Sequence, residues 1–183
     1  MNDKLAASKH QPFLIELPGG DDVARSRFRI FCDDGPPAIV HKRFVSAQEI
    51  SPDEMCQKRL RISSDEFIIR IRRIRELNGI VAVLETISIP SLLFPGIMEL
   101  PLAGDLYDLY RRKYDITLVN ADEELRAVLL DAQQARMLQS EKGIPALQIE
   151  RVARSLRQTP FEWRASLCLT ACFHYGAVVQ SPK

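Results

Sequence analysis

The chain has 183 residues, 46% of them hydrophobic and 27% charged, with a formal net charge of +1. That length suits one domain with a short appendage and supplies enough apolar side chain for a core. The near-neutral balance gives no general reason for nucleic-acid or membrane binding by this segment, no apolar run is long enough to span a bilayer, and the start, MNDKLAASKHQ, lacks the apolar region of a signal peptide, so a cytoplasmic location is expected.

Residues 1–26 read as a flexible lead-in or linker, with one apolar piece, Phe13 to Leu17, stopped by Pro18-Gly19-Gly20. Arg27 to Cys32 and Ile39 to Val45 alternate like a hairpin around Asp33-Asp34-Gly35-Pro36-Pro37. Ser51-Pro52-Asp53-Glu54 predicts a helix start, with Ser51 as cap, Pro52 in the first turn and Glu54 completing a capping box; the helix should end near Leu60.

From Phe67 to Arg75 the odd positions are Phe67, Ile69, Ile71, Arg73 and Arg75, and period-two alternation puts them on one face. Across the turn, Val81, Val83, Glu85, Ile87 and Ile89 place one carboxylate in an apolar stripe, where it needs a partner. A two-residue Asn78-Gly79 turn of type I′ would pair Arg72 with Glu85. A three-residue loop, Leu77-Asn78-Gly79, would pair Ile71 with Glu85 and gather Phe67, Ile69, Ile71, Val81 and Val83 on the core side. The second is preferred, and one residue of slip exchanges the faces.

Leu92 to Leu106 holds Pro95, Gly96, Pro101 and Gly104 and reads as a loop, with a helix opening near Asp105 that turns Leu106, Leu109 and Tyr110 inward. Ala121 to Leu138 permits one long helix, while Ile116 to Leu130 also permits a strand followed by a helix capped at Asp131; a repeat in the sequence favours the strand. From Phe161 onward Trp163, Ala165, Leu167, Leu169, Ala171, Phe173 and Tyr175 form an apolar side opposite Glu162, Arg164, Ser166, Cys168 and Thr170, as in one long strand with a polar side.

That repeat is the chain's most informative pattern. Leu60, Arg73 and Glu85 recur as Leu138, Arg151 and Glu162, and Ile69 and Ile71 as Leu147 and Ile149. Each copy is a helix, strand and hairpin too small to bury its own face, so the two should stack and share a cleft. The fold class expected is α+β: a mostly antiparallel, internally duplicated sheet with short helices. Cys32, Cys56, Cys168 and Cys172 lack metal-ligand spacing and read as free thiols. His10, His41 and His174 show no ligand spacing either. There is no nucleophile elbow and no glycine-rich phosphate loop, so neither a cofactor nor a metal is expected.

The run Arg73-Ile74-Arg75 followed by Asn78-Gly79, then Glu85 and Pro90, Gly104-Asp105-Leu106-Tyr107, and Pro160-Phe161-Glu162 before a final strand resembles the UTRA domain. That is the effector-binding half of GntR/HutC-type transcription regulators, and its fold is shared with chorismate lyase. The resemblance covers residues 27–178 and leaves 179–183 as a tail. It implies that Arg73 and Arg75 grip an anionic group of a small effector, while Glu85 and Glu162 accept hydrogen bonds from its hydroxyls or amines. Asp105 stands where the family often has a serine at a phosphate, and Cys168 where it often has a tyrosine followed by Arg-Gly-Asp. Both departures argue against a standard phosphosugar effector.

The resemblance further implies a homodimer that reads DNA only through a winged helix-turn-helix of roughly seventy residues, none of which precedes Arg27, so the chain reads as an excised effector domain. The expected role is therefore a small-molecule sensor and not an enzyme, with no membrane partner. The alternative is a chorismate lyase-like enzyme acting on a small diacid. A structural role also stays open for the charges: Glu85 and Glu162 as buried partners of Arg72 and Arg164, and Arg73 and Arg75 as exposed strand-end arginines.

Overall fold

A computed structural model describes residues 30–32, 40–171 and 173–175. Six strands make one antiparallel sheet: β2 (Val40–Ile50), β3 (Ile68–Leu77), β4 (Ile80–Pro90), β5 (Asn120–Leu129), β6 (Pro145–Arg154) and β7 (Pro160–Leu169), in the order β2-β3-β4-β7-β6-β5. The order is palindromic. Strands β2, β3 and β4 with helix α1 (Glu54–Leu60) form one unit, and β5, β6 and β7 with helix α3 (Ala132–Met137) form its twin, joined where β4 pairs β7. The internal duplication and the mostly antiparallel α+β fold are therefore as the sequence predicts.

Local signals explain the short helices. Asp53, not Ser51, caps α1 by accepting from the Cys56 amide at 2.8 Å, two residues beyond the expected start. Leu60 closes α1 as expected, and Leu138 is the C-cap of α3. Asp131 caps α3 in a full capping box with Gln134, and β5 occupies the segment before it, so the strand alternative holds. Helix α2 (Leu106–Tyr114) is capped by Asp105 and buries Leu106 and Tyr110.

Alternation sorts the side chains onto two faces. Under α1 and α3 lie Ile68, Ile74, Val81, Leu84 and Leu167, with Cys56, Leu60, Ala135 and Leu138 from the helices. Trp163 packs beside α1, although it belongs to the other unit. Each helix thus reaches across the β4–β7 junction, which neither unit could cover alone. The opposite face carries Ile69, Ile71, Ile87, Ile89 and Phe161 beneath Phe94, Ile97, Leu102, Leu106 and Tyr110 of the segment that follows β4.

Three expectations are corrected here. The β3–β4 turn is the two-residue Asn78-Gly79 type, with φ of 52° and 81°. However, a bulge between Arg75 and Glu76 leaves Ala82 without a partner and brings Arg73, neither Arg72 nor Ile71, opposite Glu85. The bulge also moves Val81 to the helix side, and Phe67 lies exposed before the strand. Second, β1 (Ile30–Cys32) pairs antiparallel with β8 (Phe173–Tyr175), not with β2 as the hairpin reading required. Third, the last long strand ends at Leu169, and its polar side is buried: Glu162, Arg164, Ser166 and Cys168 point to the face opposite α1 and α3. The lead-in and tail lie outside the described residues. Among those described, no helix is long and apolar enough to cross a membrane.

Candidate functional site

The buried polar residues of that face form one connected cluster. Arg73 sits directly across from Glu85, and the pleat carries Arg75 two residues along to the same side. Glu85 is fully buried between three guanidiniums. Arg73 Nε donates to its Oε2 at 3.0 Å, Arg75 Nη2 to Oε1 at 2.5 Å and Arg164 Nη1 to Oε1 at 3.2 Å. The last contact crosses the junction between the two units.

Arg164 continues the chain by donating to both oxygens of Glu162 at 3.0 Å. Glu162 also accepts from the hydroxyls of Tyr107 at 2.7 Å and Tyr110 at 3.0 Å, which lie one turn apart on α2. Arg73 Nη1 donates to the carbonyls of Leu102 at 3.3 Å and Gly104 at 2.8 Å. The loop ahead of α2 and α2 itself are therefore tied to the cluster at opposite ends. Farther along the sheet Arg151 pairs with Glu123, which also accepts from Tyr175 at 2.8 Å.

The electrostatics follow from this packing. Burial alone would raise the Glu85 carboxyl, but Arg75, Arg73 and Arg164 together hold it well below the usual carboxylate range. Burial works against the Arg164 charge, and Glu162, with Tyr107 and Glu85, overrides it, so its pKa stands well above the ordinary value. Burial and then Glu162 push the Tyr107 and Tyr110 hydroxyls up, which keeps both protonated and able to donate. Burial likewise raises the Cys168 thiol.

Of the residues singled out in the sequence, Arg73, Arg75, Glu85 and Glu162 converge, with Arg164 as the bridge. The arginines are not exposed at a strand end: Arg73 is 1% and Arg75 7% accessible. Asp105 is exposed at the head of α2, where it accepts from the Tyr107 and Asp108 amides at 3.0 and 3.4 Å. Cys168 is buried across from Val83 and packs with Ile149 and Phe173, beside the cluster and not within its hydrogen bonds.

The repeat misassigned one counterpart. Arg151 faces Arg164 as Arg73 faces Glu85, so the second unit carries an arginine where the first carries its carboxylate, and Glu162 occupies the place of Val83. That exchange of sign is what lets the two halves bond to each other. The sequence reading turned Tyr110 inward and placed Tyr107 in the family motif but gave neither a role in the site, although their three-residue spacing was the available signal, and it missed Lys42, which lies across from Arg75 on β2. Burial, then Arg75 and Arg73, lower the Lys42 ammonium to a pKa of about 8.

The mostly antiparallel sheet with its few short helices has the chorismate lyase-like fold of GntR ligand-binding domains. Residues 38–174 match the family model of the UTRA domain, and the chain belongs to that family. Over 125 residues it is 28% identical to the HTH-type transcriptional repressor NagR of Bacillus subtilis (strain 168), covering 68% of this chain and 51% of the repressor. The chain thus spans about half the length of that relative. The ligand-binding domain of a regulator assigned to the GntR family in Bordetella bronchiseptica is 26% identical, with a TM-score of 0.78, covering 84% of this chain and 97% of that one. PhnF from Mycobacterium smegmatis shares the fold at 21% identity and a TM-score of 0.75, over 79% of this chain and 64% of PhnF.

Proposed function

We propose that this domain is the effector sensor of a GntR/HutC-type transcription regulator: it binds a small anionic metabolite at the Arg73–Arg75–Glu85–Glu162 cluster and thereby shifts DNA binding by an attached winged helix domain. The observation that carries the reading is the buried cluster at the junction of the two units, where Arg73, Arg75 and Arg164 outnumber Glu85 and Glu162. A buried excess of cation favours an anion. Asp105 and Cys168 flank it at the head of α2 and at the far end of β7.

The mechanism is a population shift. A ligand among the arginines competes for donors that now hold the 102–104 carbonyls, and so favours a different position of the loop and α2. In a homodimer such a shift alters the spacing of two DNA-reading heads, which couples effector and operator affinities reciprocally. The protein acts in the cytoplasm, where DNA and metabolite meet.

Catalysis on a small diacid is the rival, and the electrostatics disfavour it. Glu85 stays ionised among three arginines and is poorly suited to exchanging protons near neutral pH. Thermal-shift screening of small anionic metabolites, followed by calorimetry, tests the proposal. The expected result is a compound that binds and is recovered unchanged. Turnover of a bound compound would overturn it in favour of an enzyme, and the absence of any binder would leave an interaction module.

A further inference from the structure

Among the described residues, the guanidiniums of the cluster are already engaged in hydrogen bonds and ion pairs. Arg73 commits Nε and Nη2 to Glu85 and Nη1 to two carbonyls. Arg164 commits three nitrogens to Glu162 and Glu85. Lys42 differs. It is half-buried on the edge strand β2, directly across from Arg75, and its ammonium has no hydrogen-bond or ion-pair partner among the described residues. An ammonium half-buried beside guanidiniums, with no carboxylate in direct contact, is costly unless an anion joins it.

The charge count sets what that anion is. Among the described residues, Lys42, Arg73, Arg75 and Arg164 supply four positive charges, and Glu85, Glu162 and Asp105 supply three negative ones, which leaves one positive charge over. Arg151 and Glu123 cancel each other. A singly charged group restores neutrality among these residues, whereas a phosphate ester dianion would add a net negative charge beside the buried Glu85 and Glu162 carboxylates. Asp105 follows Gly104, whose carbonyl Arg73 holds at 2.8 Å, and acts electrostatically on Lys42; its carboxylate can only accept hydrogen bonds, so it repels a second anion and calls for donors.

Resting on the effector reading above, we propose that Lys42 together with Arg75 holds the effector's anionic group, that this group is a carboxylate, and that the same molecule carries hydroxyl or amino donors for Asp105. The effector class is thus a small hydroxy- or amino-carboxylate.

The test uses matched carboxylate and phosphate pairs: glucuronate with glucose 6-phosphate, glycerate with glycerol 3-phosphate, and β-alanine with phosphoethanolamine. Each is titrated at pH 7 by calorimetry into the wild type, Lys42→Gln, Lys42→Arg and Arg75→Gln, with melting curves to confirm folding. In at least one pair the carboxylate should bind tenfold or more tighter than its phosphate partner. Lys42→Gln should weaken it at least tenfold, and Lys42→Arg should retain most of the binding and serves if the glutamine variant does not fold. Equal or tighter phosphate binding, no binding by any of the six, or unchanged affinity in Lys42→Gln overturns the inference. Binding that survives Lys42→Gln but is lost in Arg75→Gln overturns it while sparing the sensor reading, which falls only if the wider metabolite screen also finds no binder.

Discussion

Glu85→Gln isolates the centre of the charge cluster with almost no change of shape. The wild-type carboxylate is fully buried and holds Arg73 at 2.8 Å, Arg75 at 2.5 Å and Arg164 at 3.2 Å. Removing it leaves three guanidiniums, two of them under 5% accessible, facing a neutral amide. Breaking a buried pair from one side costs about 3–5 kcal/mol. At about 2–4 °C per kcal/mol for a domain of this size, a loss near 4 kcal/mol lowers the melting temperature by roughly 8–16 °C. The acid limb supplies a second signature. The folded pKa of Glu85 lies below its unfolded value of about 4.3, so its stabilisation is complete above that pH and is lost as pH falls through the folded pKa. Glu85→Gln should flatten that part of the pH profile. The assay is urea denaturation from pH 2.5 to 7, with Arg43→Ala as a control: its pair with Glu76 is long, at 3.5 Å, and the arginine is half exposed, so its removal should cost less than about 1 kcal/mol. A Glu85→Gln variant within 1 kcal/mol of wild type at pH 7 would refute the argument that the cluster is a desolvated, interdependent network.

Tyr110→Phe removes a hydroxyl donor 3.0 Å from the buried Glu162 carboxylate and should cost about 1.5–3 kcal/mol by urea denaturation, since the acceptor is charged. Gly79→Ala meets no steric obstacle but must hold φ near +81°, so a loss of about 1 kcal/mol is expected from the same measurement. A fragment spanning 40–100 should show no cooperative unfolding by circular dichroism, because Ile74, Val81 and Leu84 lose the cover of Ala135 and Leu138 from the other unit.

Much of the fold was legible because its signals are local. Asp105 and Asp131 announce their helices through cap chemistry, and the duplication shows in Leu60 and Leu138, Arg73 and Arg151. The burial of polar strand positions was half legible: alternation put Glu162, Arg164, Ser166 and Cys168 on one side, but only the α2 segment and β8 packed above them make that side an interior. What alternation cannot reveal is a bulge. Ala82 looks like any strand alanine, yet it decides that Arg73 faces Glu85 and sends Val81 to the other face. The pairing of β1 with β8 joins segments more than a hundred residues apart and has no sequence signature, so a local hairpin was the natural but mistaken reading. The site shows the same division. Arginines and glutamates in apolar stripes stand out, whereas Lys42 gains meaning only from the register of β2 against β3.

The buried arginine and glutamate cluster at the junction of the two units is claimed as the effector site, and a crystal structure of the domain with any compound that stabilises it tests this most directly. The expected result is an anionic group within hydrogen-bonding distance, about 3.2 Å or less, of Arg75 or Lys42, with the compound's polar groups toward Glu85, Glu162 or Asp105. A compound seated elsewhere, such as against α1 and α3 on the opposite face, with the cluster's contacts unchanged, would contradict it.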